Sequence, residues 1–331
     1  MEFELYLRKA LLCGNYRCME IFKSHFKFKP SPVFLSHFVF YQMSLKDMLN
    51  VETKEGKDLL REQILIHSKS VDDFEINKCV DAIMEIIKQK VKQIKEFETS
   101  IPDSKYDVKQ LGYTLFLSEC SNQIDKIKVS KQMMNKLTET YTGNVKSKTF
   151  YLDVYKMLYR YDTLNLIAKS TMQLSMSDEY YERLKTEENV EFECFASPIN
   201  RHLKKFCSAF YTTDKPFGSY GSIVNNIELI LKNKNINLSS NPPYQLHAMN
   251  NHVNDVIKYM RENKTNGYKN KVFMILPYWE DAEYTKVLKD CELTKLFEIN
   301  DKLVYKLFNV SGLDKKIIPC KTLHVILQNY E

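Results

Sequence analysis

Residues 235–244, Asn-Ile-Asn-Leu-Ser-Ser-Asn-Pro-Pro-Tyr, decide the fold prediction. The first four form a short β-like run. Residues 241–244 cannot continue it as a helix or a central strand, because two prolines fix φ at successive positions and remove two backbone donors. The segment Asn241-Pro242-Pro243-Tyr244, called the NPPY loop below, is therefore predicted to be a rigid loop at the carboxyl end of a strand. In open α/β sheets, ligands bind at that edge.

The NPPY loop has the groups needed to hold a planar amine. The side-chain oxygen of Asn241 accepts a hydrogen bond, and the carbonyl of Pro242 can stand beside it as a second acceptor. Tyr244 offers a flat face on which a base can stack, a contact worth about 1–3 kcal/mol in single-strand binders. Two fixed acceptors and a ring can therefore hold an exocyclic NH2 with its lone pair aimed at an electrophile. The competing interpretation is a plain proline turn after an edge strand.

The loop resembles the signature of amino-methyltransferases, which use S-adenosylmethionine (SAM). The same tetrapeptide serves methylation of adenine in DNA, adenine in RNA and glutamine in protein. It therefore indicates a chemistry and leaves the substrate open.

Upstream of the NPPY loop, residues 190–195 alternate as a strand and end at Ala196-Ser197-Pro198. Ser197 is a good N-cap and proline is favoured as the first helical residue, so a helix is predicted from Pro198. Its apolar stripe would consist of Ile199, Leu203, Phe206, Cys207 and Phe210. The free N–H groups at such a helix start would suit a carboxylate, such as that of SAM. The turn lacks the glycines of the usual nucleotide fold.

Two further loops flank candidate strands. Residues 214–221 contain two glycines beside two aromatic side chains, which fits either a ligand-gripping loop or a surface turn. Residues 271–276 form a buried-strand pattern that Pro277 ends, and Trp279 and Glu280 follow directly. Trp279, the only tryptophan, is predicted either to contact a base or to pack in the core.

Residues 1–146 are predicted to form an all-helical domain, followed by an α/β domain over 147–331. The clearest helix covers about 73–98, because its apolar residues recur at three- and four-residue steps. Further helices are predicted at about 106–120 and 129–141. The helix at about 73–98 carries lysines on or beside its outer face, which is either a solvated face or a phosphate-contacting one. They are Lys88, Lys90, Lys92 and Lys95.

The composition permits several functions and excludes few. The chain has 331 residues, 44% of them hydrophobic, and its net charge of +6 permits nucleic acid as a partner without requiring it. Eight scattered cysteines are predicted to be reduced thiols. Acidic residues follow Met1, and no apolar run approaches the roughly 18 residues of a membrane span. We expect a soluble intracellular protein without a membrane partner.

Taken together, these blocks resemble the cap-specific adenosine N6-methyltransferase family, also called phosphorylated CTD-interacting factor 1. The densest similarity runs from Phe192 to Gly221 and includes Phe-Glu-Cys-Phe-Ala-Ser-Pro-Ile-Asn at 192–200. It continues through the NPPY loop, through Pro277 with Trp279 and Glu280, and through residues 327–329. The resemblance covers roughly residues 150–331.

The resemblance implies a Rossmann-like, SAM-dependent methyltransferase domain packed against a helical domain. It implies methyl transfer from SAM to N6 of the 2′-O-methyladenosine next to the mRNA cap (the m6Am mark), without a metal. The NPPY loop (Asn241, Pro242, Pro243 and Tyr244) would hold the adenine, and Trp279 and Glu280 would lie at the substrate mouth. The cofactor would be bound by Glu193, Phe195, Ala196, Ser197 and Pro198, together with Phe217, Gly218 and Ser219.

The sequence departs from the family at two points. The family's usual aromatic after the two prolines is Phe, whereas this chain has Tyr244. Animal members carry a WW domain, which needs two tryptophans, and this chain has only Trp279. The resemblance therefore predicts a short member without that domain, of viral or protist origin, in the nucleus or cytoplasm (cytoplasmic if viral). The partner would be the capped 5′ end of mRNA, contacted in part by residues 1–146.

Two other functions are compatible with the same residues. One is N6-adenine methylation of internal RNA or of DNA, although duplex DNA would require base flipping. The other is a non-catalytic RNA-binding scaffold that keeps the fold. The intact NPPY loop argues against a scaffold, because a scaffold does not need that acceptor geometry.

Overall fold

The computed structural model describes residues 1–26, 57–58, 60–61, 64–65, 72–98, 105–120, 122–168, 173–308, 315–317 and 320–331. Contacts divide the chain into two compact units. The first unit comprises residues 1–128 and 146–170, and the second comprises 129–145 and 171–331. The predicted domain boundary between residues 146 and 147 assigns residues 129–145 to the first domain. In the structure these residues make their contacts within the second unit.

Among the residues that the structure describes, the first unit contains three long helices and a small sheet. In chain order it has α1 (Glu2–His25), α2 (Asp73–Glu98), β1 (Tyr106–Leu111), β2 (Thr114–Glu119) and β3 (Asn122–Lys128); after α3 (Lys131–Thr140) of the second unit it resumes with α4 (Lys148–Ala168). The helix expected at 73–98 is confirmed as α2. A buried ion pair joins α1 to α4, with Arg160 Nη2 2.6 Å from Glu4 Oε1.

The prediction of a helix at about 106–120, and with it an all-helical first domain, is wrong. Strands β1, β2 and β3 form an antiparallel sheet in which β2 is central. Gly112 makes the β1–β2 turn at a φ of 58°, a conformation that glycine adopts without strain. The buried side chains of Val108, Leu115 and Leu117 alternate with more exposed neighbours, which is the period of a strand with one buried face.

The second unit is built on a six-stranded mixed sheet. Its elements are α3, β4 (Leu174–Ser175), α5 (Asp178–Thr186), β5 (Val190–Ala196), β6 (Lys205–Ser208), α6 (Tyr211–Asp214), α7 (Ile223–Leu231), β7 (Ile236–Ser240), α8 (Leu246–Thr265), β8 (Asn270–Pro277), α9 (Glu283–Asp290), β9 (Thr294–Asn300), β10 (Tyr305–Leu307), β11 (Lys315–Ile317) and β12 (Thr322–Gln328). The strand order is β6-β5-β7-β8-β12-β9. The first four strands are parallel, and β12 is antiparallel to both of its neighbours. This confirms a mixed α/β fold.

Packing covers both faces of this sheet. Along β8, Val272, Met274 and Leu276 join a core with helices α7, α8 and α9. Phe273 and Ile275 point to the other face, where they meet α5 and Tyr305 of β10. Burial on both faces explains why β8 reads as a continuous apolar run.

The helix predicted from Pro198 is wrong. Residues 197–204 form an irregular connector, and Phe206 and Cys207 lie in strand β6. Ser197 does cap one turn, since its Oγ accepts from the amides of Ile199 and Asn200 at 3.2 and 3.1 Å. The chain must then reach the start of the parallel strand β6 within a few residues, so the turn cannot extend into a helix.

No helix among the described residues has the length and apolar character to cross a membrane. Within the same residues, no group of three or more His, Cys, Asp or Glu side chains is placed to hold a metal ion. All eight cysteines are described, and all are free thiols.

Candidate functional site

The carboxyl ends of β5 and β7 lie side by side at the switch point of the sheet. Strand β5 has β6 on one side and β7 on the other, and Glu193 pairs with Ser239 across the β5–β7 ladder. Ala196-Ser197-Pro198 follow β5, and the NPPY loop follows β7. The structure thus brings together two segments that the sequence singled out separately, at the edge where α/β sheets bind ligands.

Asn241 presents an unused acceptor in the NPPY loop. Its Oδ1 is buried and has no hydrogen-bond partner among the described residues. Seven other buried side-chain atoms of the described residues share this property, but Asn241 Oδ1 lies in the loop at the switch point. A buried acceptor without a partner costs about 1–3 kcal/mol, which a donating ligand would recover. Pro242 is buried beside it, and the carbonyl of Pro243 accepts from the amide of Gln245 at 2.7 Å, directly before α8 begins. The loop is therefore fixed at both ends.

Tyr244 is fixed through its hydroxyl group. Tyr244 Oη donates to Tyr305 Oη at 2.7 Å. Tyr305 is fully buried on β10, and the half-buried ring of Tyr244 packs against the cores on both sheet faces. Burial raises the pKa of Tyr244, so its hydroxyl stays protonated. The orientation of the Tyr244 ring is thus set by Tyr305, a residue 61 positions later in the chain.

A buried hydrogen bond between Ser240 and His252 holds the residue that precedes the NPPY loop. Ser240 Oγ lies 2.8 Å from His252 Nε2 on α8, and the ring of Phe195 meets the imidazole edge-on at 4.7 Å between centroids. Burial lowers the pKa of His252 to about 3, so the ring is neutral at physiological pH. His252 therefore connects the end of β5 to the residue before Asn241 without placing a charge there.

Glu193 and Ser197 use their polar atoms to shape the connector. Glu193 Oε2 accepts from the amides of His202 and Leu203 at 2.7 and 2.8 Å. Burial raises the pKa of Glu193, while these two amide hydrogen bonds act in the opposite direction. Ser197 Oγ donates to Gln173 Oε1 at 2.6 Å. Both side chains are at most 2% exposed. The amides of Ser197, Ile199 and Asn200 already donate to Asn200 Oδ1 and Ser197 Oγ, so the free N–H groups expected here for a carboxylate are not present at this turn.

Helix α3 holds the same connector from outside. Lys136 Nζ donates to the carbonyl of Ile199 at 2.9 Å. Arg201 Nη2 donates in return to the carbonyl of Lys136 at 2.7 Å and to Thr140 Oγ1 at 3.1 Å. Burial lowers the pKa of Lys136 to about 8.

Phe217, Gly218 and Ser219 lie along the outer side of β6. Phe217 is fully buried, with its ring 5.5 Å from that of Tyr141 between centroids. Gly218 adopts a left-handed φ of 90°, and Ser219 Oγ lies 2.6 Å from Ser208 Oγ at the end of β6. Ser208 in turn pairs with Ala196 of β5. This segment therefore adjoins the β5 turn through one intervening strand.

Trp279 and Glu280 follow the carboxyl end of β8, the strand next to β7. The side chain of Trp279 is 39% exposed, and its carbonyl accepts from Thr285 Oγ1 at 2.7 Å. Glu280 is exposed. An accessible indole held by its backbone suits a stacking surface better than a core contact.

Sequence reasoning missed three residues of this site: Ser240, His252 and Tyr305. His252 shares the inward face of α8 with Met249, Val253 and Val256. That face was the available signal. Tyr305 had no local signal, because its contact with Tyr244 spans 61 residues.

A protein family and two named proteins resemble this chain. The family described as "Phosphorylated CTD interacting factor 1 WW domain" matches residues 131–304, more than half of the chain. A Mus musculus protein named mRNA (2'-O-methyladenosine-N(6)-)-methyltransferase is 29% identical over 148 residues, which is 42% of this chain and 20% of that protein. A Homo sapiens protein of the same name is 31% identical over 127 residues, or 36% of this chain and 17% of that protein.

The chain thus corresponds to about a fifth of the length of these relatives. The family's description names a WW domain, but the matched residues run from α3 to the end of β9 and contain most of the six-stranded sheet. They also include the β5 turn, the NPPY loop and Trp279. By the extent of this match, the chain belongs to the phosphorylated CTD interacting factor 1 family.

Proposed function

We propose that this protein is a SAM-dependent RNA methyltransferase that modifies N6 of the adenosine next to the mRNA cap. The target adenine would be held by Asn241, Pro242, Pro243 and Tyr244. The observation that carries the proposal is the buried, unpartnered Oδ1 of Asn241 at the switch point of the sheet. A base with an exocyclic NH2 would supply the missing donor.

The loop would act by positioning the amine. Asn241 Oδ1 and the Pro242 carbonyl would accept the two N–H bonds of the N6 amino group, which leaves its lone pair directed away from both acceptors. The ring of Tyr244, fixed by Tyr305, would fix the plane of the base. Alignment of this kind can supply a large part of a rate enhancement, and small displacements cost about 100-fold.

The cofactor's sulfonium supplies an electrophilic methyl group. SAM would be the methyl donor and would leave with the electrons of the broken S–C bond, while the amino group held by Asn241 and Pro242 would give one proton to water. The part of the β5 turn that would face the cofactor is the half-buried end of the strand, Phe195 and Ala196. The carboxylate of Glu193 would act indirectly, by shaping that turn through His202 and Leu203.

The choice of substrate rests on the relatives. Both carry the name of an mRNA 2′-O-methyladenosine N6-methyltransferase, and the family model covers the segment that holds the site. The exposed indole of Trp279 would line the entry for the nucleotide, with Glu280 beside it.

The test is methyl transfer from labelled SAM to two short RNAs that begin with 2′-O-methyladenosine. One carries the 7-methylguanosine cap and the other a triphosphate, and the product is identified by nucleoside mass spectrometry. We expect transfer to the capped RNA alone. Equal transfer to both would retain the enzyme and remove cap specificity, and transfer to internal adenines or to DNA would replace the substrate.

The matched variants are Asn241→Ala and Asn251→Ala. Asn241→Ala should lower transfer by about 100-fold, because the amine loses an aligned acceptor, and SAM binding measured by calorimetry should persist. Asn251 is exposed on α8, so its substitution should leave the rate unchanged. Normal transfer by Asn241→Ala would refute the assignment of the NPPY loop, and SAM binding without transfer by the parent protein would favour a scaffold.

A further inference from the structure

The outward face of the β1–β3 sheet carries an aromatic side chain between two lysines. In the strand register, Phe116 of β2 lies opposite Lys109 of β1 on one side and opposite Lys126 of β3 on the other. Directly paired residues point to the same face of a sheet. The three side chains therefore form one row across the sheet.

The neighbouring row on the same face extends this arrangement. Thr114 of β2 lies between Leu111 and Lys128. Lys109, Lys126, Lys128 and Leu111 are exposed, and Phe116 is partly exposed. The opposite face carries the buried Val108, Leu115 and Leu117 and packs against α4. The basic row is thus on the side of the sheet that faces away from this helix.

The described part of this face is basic: Asp107 of β1 lies on it, against the three lysines Lys109, Lys126 and Lys128. No ion pair there joins Lys109, Lys126 or Lys128 to an acidic side chain. By contrast, Lys105 at the base of β1 is 2.9 Å from Glu119 Oε1. Three free ammonium groups around an accessible ring complement a polyanion that also presents flat apolar surfaces.

We propose that this face, the Phe116 platform (Lys109, Leu111, Phe116, Lys126 and Lys128), binds single-stranded RNA. Sheet faces that stack bases on aromatic side chains and hold the backbone with basic ones are a common way to bind single strands. An unpaired base stacks on Phe116, and the flanking lysines contact the phosphates on either side of it. RNA as the occupant rests on the proposed function. Stacking on Phe116 requires an unpaired base, which a duplex does not offer.

The experiment measures binding of a fluorescent uridine-only RNA to the full chain by polarisation, across a salt series. The probe contains no adenine, so the result is independent of the NPPY loop and of methyl transfer. Phe116→Leu, which keeps an apolar side chain but removes the ring, should weaken binding at least about fivefold, and Phe116→Tyr should retain it. Lys109→Gln with Lys126→Gln should reduce the slope of log K against log salt by about 0.7 for each lysine.

The matched control is Lys9→Gln with Lys23→Gln, two exposed lysines of α1 in the same unit. This pair should leave both affinity and slope unchanged. Circular dichroism confirms that each variant is folded. If the control pair and the platform pair weaken binding equally, or if Phe116→Leu binds as tightly as the parent, the platform is refuted and its lysines serve only to protect the sheet edges. Equal Phe116 dependence for a duplex of the same length would also refute it.

Discussion

At the scale of single residues, Tyr244 differs from the phenylalanine of the resembled family by one hydroxyl group, and the structure gives that group a partner. Tyr244 Oη donates to the buried Tyr305 Oη. A ring held at its far end loses less freedom when a base stacks on it. The substitution therefore keeps the stacking face and adds a contact that fixes it.

Tyr244→Phe and Tyr305→Phe should each lower the free energy of unfolding by about 1 kcal/mol, since each removes a hydrogen bond at a site shielded from water. The double variant should cost less than the sum, which a double-mutant cycle in urea measures. Tyr220→Phe is the control, because Tyr220 is 49% exposed. Additive effects would show that the two hydroxyl groups do not interact.

His252 should make stability depend on pH. Its pKa is lowered to about 3 by burial, whereas an unfolded histidine titrates near 6.5, so the unfolded state binds the extra proton first. The stabilisation is thus complete above about pH 6.5 and is lost as pH falls towards 3. Between pH 7.5 and 5.5 the contribution should fall by about 1.4 kcal/mol.

Chemical denaturation of the parent and of His252→Gln at both pH values isolates this contribution, because the other titrating groups are common to both proteins. The variant should lose less stability on acidification than the parent. Equal losses would show that His252 is charged, or absent from the core, in the folded protein.

At the scale of elements, the connector between β5 and β6 depends on Glu193. Glu193→Ala would leave two buried amides without an acceptor and should cost about 2–4 kcal/mol. Glu193→Gln keeps an acceptor oxygen and removes a charge that burial disfavours, so it should cost less than about 1 kcal/mol. Glu191→Ala is the control: this exposed neighbour pairs with Lys205 at 2.8 Å, and exposed pairs contribute little.

Urea denaturation monitored by circular dichroism ranks these variants. If Glu193→Ala is as stable as Glu191→Ala, the connector is held by other contacts. If Glu193→Gln is as damaging as Glu193→Ala, the carboxylate charge itself is required.

Elements with a strong local signal could be predicted from the sequence. Helix α2 has a sustained apolar period, and α3 is capped by Ser130, whose Oγ accepts from the amide of Met133 at 3.1 Å. The β5 turn and the NPPY loop were located because proline limits the backbone whatever the tertiary context. That these two segments lie next to each other could not be predicted, because it depends on the order of the strands in the sheet, which no single segment specifies.

The two wrong helices failed for different physical reasons. At 106–120, the apolar residues at 108, 115 and 117 fit the period of a helix only loosely. Gly112 makes the turn between β1 and β2 and was the sequence signal for a hairpin. At 198–210, capping was predicted correctly, but Glu193 and Lys136 hold the following residues in an irregular path. Contacts from distant residues overrode local propensity there.

At the scale of the whole molecule, the chain alternates between its two units. Residues 129–145 belong to the second unit although residues 146–170 return to the first. A fragment that begins at 147 would therefore lose α3, and with it the contacts of Lys136 and Thr140 to the connector.

Fragment 129–331 should be more stable than fragment 147–331, with a midpoint higher by about 2–4 °C for each kcal/mol that α3 contributes. Thermal unfolding of both fragments, with limited proteolysis at the connector, makes the comparison. Equal midpoints would show that α3 is dispensable for the second unit.

This alternation also has a consequence for synthesis on the ribosome. Helix α3 emerges before the connector and before the short 3-10 helix Lys215–Phe217 that it contacts. At translation speeds of about 5–20 residues per second, the helix waits roughly 4–15 s for its partners. During that interval the following helix α4 can already dock on the first unit. The first unit can therefore be complete in sequence while α3, which belongs to the second unit, still lacks its partners. Slowed translation before residue 217 would prolong the exposure of α3.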